Sequence, residues 1–266
     1  MAESLARWLK QSPMSEPGSA VALYEALPRD IGSLCRAIEG LILHADWTPS
    51  YGLSTDHFGP EARTTLPIAQ RLAQIAHTDP RPLSIERPIE TRVPGTCRDY
   101  ALLLCSILRH RQVPARVRCG FAAYFHKGSW EDHWICEQWL PAEGRWRRVD
   151  AQLDDVQKRQ LGVRFDTTDL PQAMFLTAGD AWRLCRSGAG DAESFGHGTT
   201  TGLWFMRVNV VRDHYALNEL EVSPWDSWRQ AHGPQQIVSE PEQCTTDSLA
   251  ARPDAARTEL TPPWLA

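Results

Sequence analysis

The sequence predicts an α+β fold: a helix that starts on a cysteine, packed on an antiparallel sheet, with extra helices at both ends. Two observations carry this prediction. Apolar residues recur at helical spacing up to about residue 112, and from residue 116 the spacing changes to strand alternation. Helices come first and strands after, and such segregation argues against an alternating parallel-sheet fold.

Taken in order, residues 1–18 are broken by Pro13, Pro17 and Gly18, and residues 19–27 are patterned as a helix. Residues 29–45 predict a second helix, with Ile31, Leu34, Ile38, Leu41 and Ile42 as one apolar stripe. Residues 46–60 read as a loop, and long loops are commonly functional. A third helix fits residues 66–77, stopped by Thr78-Asp79-Pro80, and residues 80–94 are extended. Pro94-Gly95 then turns the chain into Thr96, a natural N-cap, and a helix starting at Cys97. Its buried face is Ala101, Leu104, Cys105 and Leu108, and Pro114 ends it.

Residues 116–125 and 133–140 read as strands. A four-residue turn at 141–144 leads to a return strand over 145–150. Residues 168–186 are patterned as a helix, with Asp166 and Asp169 as cap candidates. The loop 188–202 lacks the Lys-Ser/Thr ending of a phosphate loop. Residues 203–220 favour helix, although their valine-rich middle is compatible with strand. Residues 239–266 have few apolar anchors, so a poorly ordered tail is expected there, one whose removal leaves folding intact. Pro262-Pro263-Trp264-Leu265 is its most plausible docking point. The organisation expected is thus a helical lead-in over 1–80, a catalytic domain with a helical extension over 81–238, and a tail over 239–266.

Composition narrows the function. The 266 residues carry a net charge of -5, which argues against a broad nucleic-acid or anionic-membrane surface. Arg116, Arg118, Arg145, Arg147 and Arg148 could still form a local basic patch. The start MAESLARWLK lacks the apolar core of a secretion signal, and no apolar run is long enough to span a membrane. The seven cysteines are odd in number and scattered, without a C-x-x-C pair, so a reducing cytoplasm is expected rather than disulfides. No metal or cofactor is expected.

The chemistry centres on Cys97. A helix N-terminus gathers unpaired N–H groups and the positive end of the dipole, and both favour thiolate over thiol. Such a nucleophile needs a base, and the base needs an orienting group. His133 opens one strand and Asp150 closes its hairpin partner, so the two fall at the same end of one hairpin. Cys105, Cys119 and Cys136 fall on core-facing positions, and His110 and His126 read as solvated. Arg98 and Asp99 read as a surface ion pair of little worth.

These residues resemble the bacterial transglutaminase-like superfamily. The resemblance rests on Gly95-x-Cys97-Arg98-Asp99-Tyr100-Ala101, Leu108-Arg109-His110-x-x-Val113-Pro114-Ala115-Arg116, His133-Trp134-x-x-Glu137 and Trp146-x-x-Val149-Asp150. It covers about residues 85–155 and implies a papain-like fold with Cys97, His133 and Asp150 as a triad in that order. It also implies acyl transfer from an amide, ester or thioester, in a small molecule or peptide, through a thioester intermediate. Hydrolysis of an amide is the first reading. Amide formation with an amine acceptor is the second, and a non-catalytic binding module the third. Trp47 and Tyr51 are candidates for the second oxyanion donor, and Trp134 for a pocket wall that excludes water. The acyl donor, the pathway and the oligomeric state are not legible.

Overall fold

The computed structural model describes residues 5–224 and 237–256. The chain divides into two compact units, each built from two stretches of sequence. Unit one comprises residues 1–117 and 135–170, and unit two residues 118–134 and 171–266.

In unit one the α1 helix (Ile31–Glu39) starts on Asp30, whose side chain accepts the Ser33 N–H at 2.8 Å. It stops at Gly40, short of the predicted end. Ile42–His44 instead forms a strand, β1, parallel to β2 (Val93–Gly95). A short apolar run buried on every side looks alike as helix or strand, which is why the stripe misleads there. Residues 19–27 are mostly a 3-10 helix (Gly18–Tyr24), and the third predicted helix is α2 (Ile68–Thr78). Next comes α3 (Cys97–His110), capped by Thr96 as expected. The short α4 (Asp155–Leu161) follows the hairpin, with Asp154 accepting the Val156 and Gln157 N–H groups at 3.0 Å.

The expected strands form as β3 (Ala115–Ala122), β4 (Trp130–Leu140) and β5 (Arg145–Val149). Within unit one β4 and β5 pair antiparallel, with Cys136 opposite Val149 and Leu140 opposite Arg145. Strands β3 and β4 each pass from one unit to the other, at 117/118 and 134/135.

In unit two the strand order is β6-β3-β4-β7-β8, adding β6 (Phe175–Thr177), β7 (Phe195–His197) and β8 (Thr200–Thr201). The sheet is mixed rather than purely antiparallel, because Trp130 and Glu131 of β4 pair parallel with Phe195 and Gly196. The helix expected over 168–186 forms only as α5 (Ala178–Arg186). Its predicted first half is a 3-10 turn and the strand β6, which runs antiparallel to β3. Gly120 permits that pairing, since a Cβ there would lie 2.1 Å from the Leu176 carbonyl oxygen. Thr177 then caps α5 by accepting the Asp180 N–H.

Residues 203–217 are helical, as α6 (Leu203–Leu217), and it is buried almost all round. Its charges are paired: Asp213 accepts from Arg118 at 2.8 and 2.9 Å, and Asn209 and Arg212 bind Asp132 at 2.9 and 3.4 Å. The tail expectation is corrected for its first part. Glu240–Ala251 is a helix, α7, opened by a Ser239–Glu242 capping box, with Leu249 and Ala250 fully buried against Trp182, Met206 and Val210. Residues 257–266, and with them Trp264, lie outside the described residues.

The arginines named as a basic patch are spent on internal partners. Arg116 and Arg148 pair with Glu137, Arg118 with Asp213 and Arg145 with Asp169 and Glu143, while Arg147 donates to Gln138. Among the described residues no helix is long and apolar enough to cross a membrane.

Candidate active site

Three side chains in unit one fix the turn that delivers Cys97. Asp99 reaches back to accept the Thr96 N–H at 2.8 Å and its hydroxyl at 3.2 Å, closing the capping box. Arg71, from α2, donates to the Pro94 carbonyl at 2.6 Å and to Asp99 at 3.1 Å. Behind the turn, the Tyr100 hydroxyl donates to the Ile42 carbonyl at 2.9 Å, and the Ala45 N–H donates to the Gly95 carbonyl at 2.9 Å. Gly95 is required by that close approach: a Cβ there would sit 2.6 Å from the Ile42 side chain.

Arg98 and Asp99, expected at the surface, are therefore among the most buried charges, 0% and 3% exposed. Asp99 caps the helix and faces a buried guanidinium. Replacing Asp99 by alanine removes both roles and leaves Arg71 with only neutral partners. We expect a loss of about 3 kcal/mol, the low end for breaking a buried pair, measured by urea unfolding. A loss below about 1 kcal/mol would show that the turn holds without it.

Cys97 itself is half-buried at this helix start. Cys35, Cys105, Cys119 and Cys136 are sealed in the interior, as expected for the last three, and burial pushes the Cys35 and Cys136 thiols well up. Cys185 is half-buried and raised to about 11 by burial and then by Asp191, while Cys244 is exposed.

Asp150 follows β5 directly and is fully buried in unit one. Its N–H donates to the Thr167 carbonyl at 2.8 Å, and its carboxylate accepts the Gln152 N–H at 2.9 Å. His133 stands on the part of β4 that belongs to unit two and is 2% exposed. The rings of Tyr124 and Phe125 meet it edge-on, at centroid distances of 5.9 and 4.8 Å. Its neighbour Trp134 is buried too, and among the described residues its indole N–H has no hydrogen-bond acceptor.

Trp47 and Tyr51 belong to unit one. Trp47 lies two residues beyond Ala45, so its loop starts beside the Cys97 turn. The Tyr51 hydroxyl donates to Asp154 at 2.8 Å, so its one proton is committed. Arg71 was not singled out from the sequence. Its partners lie 23 and 28 residues downstream, a separation that local patterning cannot reach.

Residues 62–151 match the model of the transglutaminase-like superfamily. A comparison with curated proteins finds no match. Among solved structures the chain is similar to one titled "Putative Cysteine Protease from Cytophaga hutchinsonii", at 15% identity and a TM-score of 0.39, over 66% of this chain. The chain covers 46% of that protein's length. The matched stretch holds the Cys97 turn, the helix that follows it, and the hairpin that ends at Asp150. It is this core, about a third of the chain, that is similar to the transglutaminase-like superfamily.

Proposed function

We propose that the protein is a cysteine-dependent acyl-transfer enzyme that hydrolyses an amide bond, with Cys97 as nucleophile, His133 as base and acid, and Asp150 as the orienting carboxylate. The observation that carries the reading is the half-buried Cys97 on the first turn of a fourteen-residue helix, its entry braced by Arg71 and Asp99. The order of the three residues, a cysteine at a helix start followed by His133 on β4 and Asp150 directly after β5, supports the reading.

In this reading His133 takes the Cys97 proton, and the thiolate attacks the carbonyl carbon. The backbone N–H of Cys97 stabilises the oxyanion, each such donor being worth about 10²–10³ in rate. Trp47 is the remaining candidate for the second donor, since Tyr51 serves Asp154. The C–N bond breaks as His133 protonates the departing amine. A water molecule, losing its proton to His133, then splits the thioester into a carboxylic acid and the free thiol. Asp150 holds the imidazole in the required tautomer.

The test is alkylation of the folded chain by iodoacetamide at mildly acidic pH, with peptide mapping. Cys97 is expected to react at least about tenfold faster than Cys185 and Cys244, because a thiolate attacks and a thiol does not. Equal labelling of the exposed Cys244 would remove Cys97 as the nucleophile and favour a non-catalytic role. Faster thioester turnover in the presence of an added amine, with amide as product, would replace hydrolysis by transfer.

A further inference from the structure

Unit one contains an open cavity of about 570 Å³, within the size range of small-molecule sites. Its wall includes Glu39 at the end of α1, Tyr51, Arg92, Asp154 and Lys158. Most of its polar groups already have partners. Tyr51 and Arg92 both engage Asp154, and Arg92 also pairs with Glu86 at 2.6 Å. Glu39 differs. It is 8% exposed, and among the described residues its carboxyl group accepts no hydrogen bond and enters no ion pair.

A buried carboxylate in that state is costly, and the group answers by holding its proton. Burial pushes Glu39 up to about 8. Lys158 opposes that rise, while Asp154, Asp150 and Asp155 add to it. The cavity wall carries Glu39, Glu86, Asp154, Asp155 and Asp166 against Arg36, Arg92 and Lys158, an excess of acid that favours a positively charged ligand. The Glu39 oxygens can accept its N–H bonds. Among the described residues no three His, Cys, Asp or Glu side chains are arranged to hold a metal ion.

We propose that this cavity binds a small organic cation with N–H donors, an alkylammonium or a guanidinium, with Glu39 as its counter-ion. The proposal does not rest on the acyl-transfer reading, although Asp150, assigned there as the orienting carboxylate, also acts on Glu39. On binding, the Glu39 carboxyl loses its proton to solvent and the carboxylate accepts N–H bonds from the cation.

The experiment is titration calorimetry of the full chain at pH 7 with n-butylammonium, n-butylguanidinium, tetramethylammonium and 1-butanol. At least one of the first two is expected to bind at least about tenfold more tightly than the last two, which lack N–H donors or charge. The tighter of the pair tells an amine ligand from an arginine-like one. A group that titrates at about 8 is about nine-tenths protonated at pH 7, so binding should release about 0.9 proton, read from the heats in two buffers. Glu39→Gln should weaken binding at least about tenfold and abolish the release. If that variant does not fold, the ranking of the four probes on the natural chain decides. Binding without proton release would overturn the proposal. So would equal affinity for tetramethylammonium, or no binding of either N–H cation at millimolar concentration.

Discussion

Replacing Cys97 by alanine is expected to lower turnover of a responsive aryl ester or anilide by about 10⁴-fold or more, without loss of folding. Removing the nucleophile of a catalytic triad costs on this scale, and what survives comes from binding and the oxyanion donors. Folding should be spared because Thr96, Asp99, Arg71 and Gly95 hold the turn through bonds of their own. The measurement is initial rate at saturating substrate, with circular dichroism as the folding control. His133→Ala should fall to a similar floor, and the double variant should lose little more, since members of one catalytic unit are not additive. A Cys97→Ala variant that keeps a tenth of the natural rate would rule out the proposed chemistry.

Ending the chain before Ser239 is expected to destabilise unit two by about 5 kcal/mol or more, the reverse of what the composition of that segment suggests. Helix α7 buries Leu249 completely, worth about 1.5–3 kcal/mol. The Trp182 indole N–H donates to Asp247 at 2.6 Å, and a lost hydrogen bond to a charged group costs about 1.5–3 kcal/mol. Buried Arg207 would also lose its Glu242 carboxylate, and the alanine face of α5 around Gly179 would be exposed. A typical domain has only about 5–15 kcal/mol in hand, so the truncated chain should melt far lower or fail to fold. Thermal melts of both lengths decide it. Equal melting temperatures would mean that α7 is an ornament.

The sequence reading succeeded where the signal is local. Pro94-Gly95-Thr96 ahead of an apolar stripe marks the start of α3, and alternation with a four-residue turn marks the β4–β5 hairpin. It failed where burial contradicts chemistry. Arg98 and Asp99 look like solvent-facing charges because adjacent opposite charges usually are, and nothing nearby announces Arg71. In α6, Arg207, Asn209, Arg212 and Asp213 interrupt the apolar pattern, yet all are buried against partners on other elements. In α7 a signal was present and outweighed: Ser239 and Glu242 make a capping box and Pro241 sits in the first turn, where proline is favoured. Counting apolar anchors hid it, because half of its hold is polar.

The chain leaves unit one after Val117 and returns at Ile135, so neither unit is a continuous stretch of sequence. During translation the N-terminal residues emerge first, and at about 5–20 residues per second the gap between Cys97 and residue 170 takes seconds to cross. Until residue 149 is made, unit one lacks its β4–β5 hairpin. The cysteine is therefore made well before the carboxylate proposed to serve it, and translation itself sets the earliest moment at which the thiol can be armed. Splitting the gene at residue 134 would give fragments that each hold parts of both units, which makes fragment complementation a better route than domain dissection.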